Sequence, residues 1–133
     1  MAYLRPPAFQ RLVFNKLAMK FGIGGAKTLT VTGRKSRKPS SLPVVLAELD
    51  GSRYLVSARG ETQWVRNLRA AGGRCELKGK GAAEALQATE IPAGERAAIL
   101  VAYRKAAGRA VNGYFAKLPN EADHPTFRIE PRT

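Results

Sequence analysis

The chain has 133 residues, with 23 Lys and Arg against 10 Asp and Glu, and a formal net charge of +13. That length fits one domain spanning residues 1–133, too small for a two-domain dehydrogenase or an eightfold strand–helix barrel. A hydrophobic fraction of 44% supports a real core, while one cysteine and one histidine exclude a disulfide framework and a zinc site of the usual Cys/His count.

Residues 1–8 are expected to be loose. Residues 9–21 read as an amphipathic helix: Phe9, Leu12, Val13 and Leu17 share one face, and Arg11, Lys16 and Lys20 lie elsewhere. Gly22, Gly24 and Gly25 stop it. The β-branched run Thr28–Thr32 reads as a strand, and Gly33–Ser41 as a polar, basic turn. Leu42–Leu49 reads as a second strand, closed by the two-residue hairpin signal Asp50-Gly51. Arg53–Ser57 is the third strand. A short helix over Thr62–Ala71 ends at Gly72-Gly73. Arg74–Lys78 and Ala83–Glu90 form another hairpin. Pro92 sits where a first helical residue would, opening a helix to about Ala107, and a shorter helical piece covers Ala110–Lys117. Thr126–Glu130 is the last strand. About six mostly antiparallel strands with three or four helices predict a mainly β, α+β fold, a closed or half-closed barrel with helices outside it.

No apolar run approaches the ~20 residues that span a bilayer. The first residues lack a continuous apolar stretch and a small-residue cleavage site, so a secretory signal is not expected and a cytoplasmic location is. The charge is unevenly placed. No Asp or Glu precedes Glu48, whereas Arg5, Arg11, Lys16, Lys20, Lys27, Arg34, Lys35, Arg37 and Lys38 all do. Such asymmetry points to an anionic partner: nucleic acid, anionic lipid or a polyanionic small molecule. A solvated basic surface that serves solubility is the plainer alternative.

Two segments are candidates for chemistry. In the first, Thr32-Gly33-Arg34-Lys35-Ser36-Arg37-Lys38-Pro39, a strand and a glycine precede four cations in five positions. Arg34 suits a two-bond grip on an oxyanion, Lys35 acts as a point charge, and Ser36 adds a hydroxyl. A charged turn without a ligand fits the composition equally well. In the second, Ser57-Ala58-Arg59-Gly60 leads from a strand into a helix start, whose free N–H groups favour anions. Trp64, the only tryptophan, sits in that helix's first turn, where a core anchor competes with a ligand-stacking role. Asn67 and Leu68 follow three and four residues on, near the same face.

Other signals are weaker. Gly22-Ile23-Gly24-Gly25-Ala26-Lys27-Thr28 has Ala26 where a phosphate loop needs glycine, and it precedes a strand. His124 has no Ser, Cys or carboxylate constellation for a triad. Cys75 reads as a half-buried strand residue. Tyr103 and Tyr114 either line a cavity or pack. With no catalytic side-chain machinery and no metal set, an enzyme built on this chain needs chemistry borne by a cofactor.

The motifs resemble a known family. Thr32-Gly33-Arg34-Lys35-Ser36, with Pro39 and Pro43, is similar to the basic loop and following strand of the deazaflavin-dependent nitroreductases. Ser57-Ala58-Arg59-Gly60 with Trp64-Val65-Arg66-Asn67-Leu68 resembles their second signature, and His124-Pro125-Thr126-Phe127-Arg128-Ile129 their last strand. The likeness covers about residues 10–130. These are small actinobacterial and archaeal oxidoreductases with a split β-barrel, flavin-reductase-like fold. The resemblance implies coenzyme F420, a deazaflavin with a phosphate and a polyglutamate tail. It also implies the site. Arg34, Lys35 and Ser36 would hold the phosphate or tail, with Pro43 and Val44 near the ring. Ser57, Ala58, Arg59 and Gly60 would meet the ring or phosphate, and Trp64, Asn67 and Leu68 would close the pocket. Tyr103 and Tyr114 would face the substrate. The expected reaction is hydride transfer from reduced F420 to an apolar, electron-poor acceptor such as a quinone or nitro compound. Val44, Val45 and Leu46 suit a quinone at least as well.

The same barrel groove suits flavin mononucleotide (FMN), a haem-type group or a lipid-like ligand. The basic helix over 9–21 suits peripheral contact with an anionic membrane at its inner face, or packing on the barrel. Nucleic-acid binding lacks any helix-turn-helix, finger or stacking pattern. Dimers are common among split barrels, so a homodimer is compatible.

Overall fold

The structure is a computed structural model, and it describes residues 26–132. The expected helix over 9–21 lies outside the described residues. Seven strands form one antiparallel sheet: β1 (Ala26–Thr32), β2 (Pro39–Val45), β3 (Ala47–Leu49), β4 (Ser52–Val56), β5 (Arg74–Lys78), β6 (Glu84–Glu90) and β7 (Thr126–Pro131). Among the described residues three α-helices accompany them: α1 (Gln63–Ala70), α2 (Ala97–Ala107) and α3 (Asn112–Lys117).

The strand order is β2-β1-β5-β6-β7-β4-β3. The two edge strands, β2 and β3, are therefore consecutive in sequence and separated only by Leu46. The chain turns a corner there, and the sheet curls until both edges flank one seam: a split barrel. This corrects the expectation of one strand over Leu42–Leu49, and the division at Leu46 brings the expected number of about six strands to seven among the described residues. Hydrophobicity runs unbroken through the corner because Leu46 points into the core, 8% exposed. The strand also begins earlier than its composition suggests. Pro39, Ser40 and Ser41 pair with Thr32, Val31 and Thr30, and Thr30 Oγ1 meets Ser41 Oγ at 2.8 Å. An edge strand tolerates proline and hydroxyls that an inner strand does not.

Two apolar clusters lie on opposite faces of the sheet. Inside the curl, Leu29, Leu55, Leu68, Leu77 and Leu86 are essentially inaccessible and pack with Val65, Phe127 and Ile129 beneath α1. Burying each such leucine contributes about 1.5–3 kcal/mol. β5 shows the alternation that builds this core: Cys75 and Leu77 are buried, while Arg74, Glu76 and Lys78 are exposed. Cys75 is thus fully inside, not half-buried. On the other face, Ala47 and Val56 pack against Ile99, Leu100 and Tyr103 of α2, and Val111 and Phe115. Adjacent residues Leu55 and Val56 belong to different clusters, as the pleat requires.

The turns follow their local chemistry. Asp50 and Gly51 both have positive φ (52° and 81°), the geometry of a two-residue hairpin. After α1, Gly73 has φ +85°, and an added Cβ would lie 2.2 Å from the Ala88 carbonyl oxygen, so only glycine lets β6 approach. Pro92 does not open an α-helix. It precedes a 3-10 turn at Ala93–Glu95, and α2 starts only at Ala97. Between them Arg96 turns inward, donating Nε to the Ile91 carbonyl at 2.8 Å, and its own carbonyl accepts the first bond of α2 from the Leu100 amide at 2.9 Å.

Candidate cofactor site

Both signature segments converge on α1. The basic loop Gly33–Lys38 joins β1 to β2 and closes on itself: the Gly33 amide donates to the Lys38 carbonyl at 2.8 Å, and the Arg37 amide to the Gly33 carbonyl at 3.0 Å. The Lys38 amide donates to Ser36 Oγ at 3.2 Å. Ser36 Oγ would sit 2.5 Å from a Cβ at position 33, so the loop is built around a glycine. The loop then docks on the helix. Asn67 Oδ1 accepts from the Arg34 amide at 3.1 Å and from Arg34 Nη1 at 2.7 Å. The Asn67 oxygen thus shapes the loop that precedes it by 33 residues.

The second segment leads into the start of α1. Ser57 is buried and uses all its polar groups within the protein. Its Oγ donates to the Gly60 carbonyl at 2.6 Å, its amide donates to the Pro125 carbonyl at 2.9 Å, and its carbonyl faces His124 Nδ1 at 3.0 Å. Gly60 has φ +87°, which lets the chain reverse into the helix. Ser57 thus braces the loop, and its side chain is not presented outward. Ala58 and Arg59 at the tip are half-buried. From the start of α1 to Asn67 the helix rises only about 6 Å, so the two loops are neighbours.

Trp64 is half-buried, packs on the inner core and tilts against Phe127, with centroids 6.1 Å apart. Leu68 is fully buried, so it supports α1 from beneath and closes no pocket. On β2, Leu42 and Val44 pack on the inner core, while Val45 packs on the outer cluster. Strand alternation therefore sets Pro43 on the face opposite Val44. Tyr103 and Tyr114 are not brought to the basic loop: both belong to the outer cluster, with the Tyr103 ring tilted against Phe115, centroids 6.3 Å apart. Burial pushes the Tyr103 phenol well above its ordinary pKa, with Arg59 pulling it back. Arg59 and Ala58 are the link between the two regions.

Electrostatics separate the cations into two sets. The ion pairs among the described residues are Arg53–Glu84, Arg69–Glu61, Arg69–Glu90, Arg96–Glu90 and Arg128–Glu130. None engages Arg34, Lys35, Arg37 or Lys38, and the last three are exposed. The buried Glu61 instead accepts from Arg69 Nη1, and Arg69 reaches Glu90 at 2.7 Å. Hydrogen bonding to Glu90, then to Glu61, raises Arg69 further above its usual value, and the Arg69 bond holds Glu90 below the usual carboxylate range. This network pins the start of α1 to β6. Sequence reading missed it, and also missed the role of His124, because the partners lie far apart in the chain. Among the described residues no cluster of His, Cys, Asp or Glu has the makeup of a metal site.

The side chains fit a polyanionic ligand: four cations and a hydroxyl on one docked loop, beside a half-buried tryptophan. A split barrel with such a loop at its helix start defines a class of cofactor-binding barrel. Residues 9–117 match the profile of the family described as F420H(2)-dependent quinone reductase, and the chain belongs to that family. It is an F420-dependent oxidoreductase, and coenzyme F420 is its cofactor. No curated protein matches it. Among solved structures, one titled F420-H2 dependent reductase (FDR-A) is 21% identical, with a TM-score of 0.57 over 79% of this chain and 93% of that one. Another, titled a domain-swapped dimer, is 20% identical, with a TM-score of 0.59 over 90% and 97%. A haem-binding protein from Mycobacterium smegmatis is 16% identical, with a TM-score of 0.57 over 97% of this chain and 53% of that one. At these identities the structures share the fold.

Proposed function

We propose that the chain passes a hydride from reduced coenzyme F420 to an apolar, electron-poor acceptor, a quinone before a nitro compound, with the cofactor's anionic tail on the Gly33–Lys38 loop. The observation that carries this reading is the set of unpaired cations docked on α1 through Arg34 and Asn67, in a chain of this family. Bound there, the deazaflavin supplies the hydride. The residues supply the rest. Arg34, Lys35 and Ser36 hold phosphate or carboxylate oxygens, and Arg59 adds a second positive point at the other loop. Trp64 and Val44 offer the apolar surface on which a flat ring packs and from which water is excluded. The aliphatic Val44 on the inner face favours an apolar, quinone-like acceptor over a hydrogen-bonding one. We also read the chain as a homodimer, a state that sedimentation of the purified protein tests directly.

A fluorescence titration following Trp64 tests the cofactor reading. Coenzyme F420 and FMN are compared at low and high salt. Saturable quenching by F420, weakened by salt, is expected, because a polyanion on exposed cations is screened. Preference for FMN, or indifference to salt, would overturn the tail assignment. Steady-state turnover with a quinone and a nitroaromatic then ranks the acceptors.

A further inference from the structure

His124 is the only histidine in the chain and is 0% exposed. Its Nδ1 lies 3.0 Å from the Ser57 carbonyl oxygen and its Nε2 lies 2.6 Å from the Leu118 carbonyl oxygen. Carbonyl oxygens only accept. A neutral imidazole has one N–H, so it satisfies one carbonyl and turns a lone pair toward the other. A doubly protonated ring donates to both. Rotation does not relieve the conflict, because the ring is stacked on Phe115 with centroids 4.0 Å apart and planes 13° from parallel. Burial keeps bulk water from either carbonyl.

The charges around the ring come from three elements. From the start of α2, Arg96 donates Nη1 to the His124 carbonyl at 3.2 Å. Further along α2, Arg104 lies 4.7 Å from the Phe115 ring centroid. Both oppose a second positive charge. The turn before the ring carries Glu121 and Asp123, which favour it, and the Ser57–Thr62 loop carries Arg59, which does not. The two carbonyl dipoles and the Phe115 face also favour the charged ring. What the ring joins is functionally placed: Ser57 anchors the loop that enters α1, and Leu118 begins the connection from α3 to β7.

We propose that His124 is a positioning residue, whose doubly protonated ring ties the Ser57–Thr62 loop to the α3–β7 connection, and that losing one proton loosens this loop and weakens the anion site. The effect on the anion site rests on the cofactor reading above. The brace itself does not.

Because the chain has one histidine, nitrogen-15 spectra of the ring in the full-length protein report this residue alone. Both ring nitrogens should carry protons while the brace is made. As one is lost at higher pH, the amide signals of Ser57–Thr62 should shift with the same midpoint. A ring with one bare nitrogen throughout the folded range overturns the proposal. Wild-type affinity for coenzyme F420 should fall about tenfold across that step. His124→Gln should bind weakly and show no step, and an identical step in that variant overturns the assignment. Should His124→Gln not fold, the wild-type nitrogen spectra still decide. An intact ring titration with no F420 binding at any pH would sink the cofactor reading and leave the brace standing.

Discussion

The two loops that meet at α1 solve opposite problems. The Gly33–Lys38 loop is exposed, closed by its own backbone bonds, and held to the body through Arg34 and Asn67. Its cations are left over for a ligand. The Ser57–Thr62 loop is mostly buried, and its polar groups are consumed internally by Gly60, Pro125 and His124. One loop supplies charge and the other supplies shape. Affinity and geometry are therefore expected to respond to different substitutions, with different dependence on salt.

Replacing Lys35, Arg37 and Lys38 together with serine should have the largest effect. Affinity for coenzyme F420 should fall about a hundredfold at low salt, with the salt slope flattened. The unfolding midpoint should hardly move, since these side chains make no ion pair among the described residues. Unchanged affinity would remove the basic loop from the site. Ser57→Ala is the converse. It strips the Gly60 carbonyl of a buried donor, which costs about 1–3 kcal/mol of stability. Denaturant melts should show that loss. Cofactor affinity should fall with an unaltered salt slope, and a flattened slope would show that the loops are not separable. Asn67→Ala cuts the tie between them. We expect about a fivefold loss of affinity, because the Arg34 amide and guanidinium lose an acceptor while the charges remain. If it behaves like the triple variant, the tie matters as much as the charge.

The smallest effect at neutral pH belongs to the barrel interior. Burial pushes the Cys75 thiol up to about 11 from an ordinary 9.0. The unfolded chain therefore loses that proton first. Its contribution to stability is complete below 9.0 and fades as pH rises toward 11. Denaturation midpoints of wild type and Cys75→Ala should diverge in slope only across that window. Neither loop is involved, so cofactor affinity per folded molecule should be the same in both proteins.

How much of this was legible in the sequence depends on the range of each interaction. The Asp50-Gly51 hairpin, the Gly72-Gly73 stop and the alternation of Arg74–Lys78 all appear where the local pattern places them. The basic loop was equally visible, because a run of cations after a strand and a glycine is a local fact. The resemblance to deazaflavin enzymes rested on three such local segments, and the family match covers residues 9–117. The misreadings have one physical origin. Leu42–Leu49 looks like one strand because each residue has an apolar side to bury. That the chain corners at Leu46 follows from closing a seven-stranded sheet, whose two edges must meet. Tyr103 looked like a pocket residue, and its place in the outer cluster is set by how α2 packs on β3 and β4.

The sequence by itself determined the chemistry on offer: an excess of positive charge concentrated before Glu48, one tryptophan, one histidine and one thiol. It also determined the turns, since positive φ and two-residue hairpins are properties of one or two residues. Only the tertiary structure decided which groups are spent and which are free. Asn67 meets Arg34 across 33 residues, and His124 meets Ser57 across 67. Periodicity and propensity act over a few residues, while hydrogen bonds of buried groups are satisfied by whatever the closed sheet brings near.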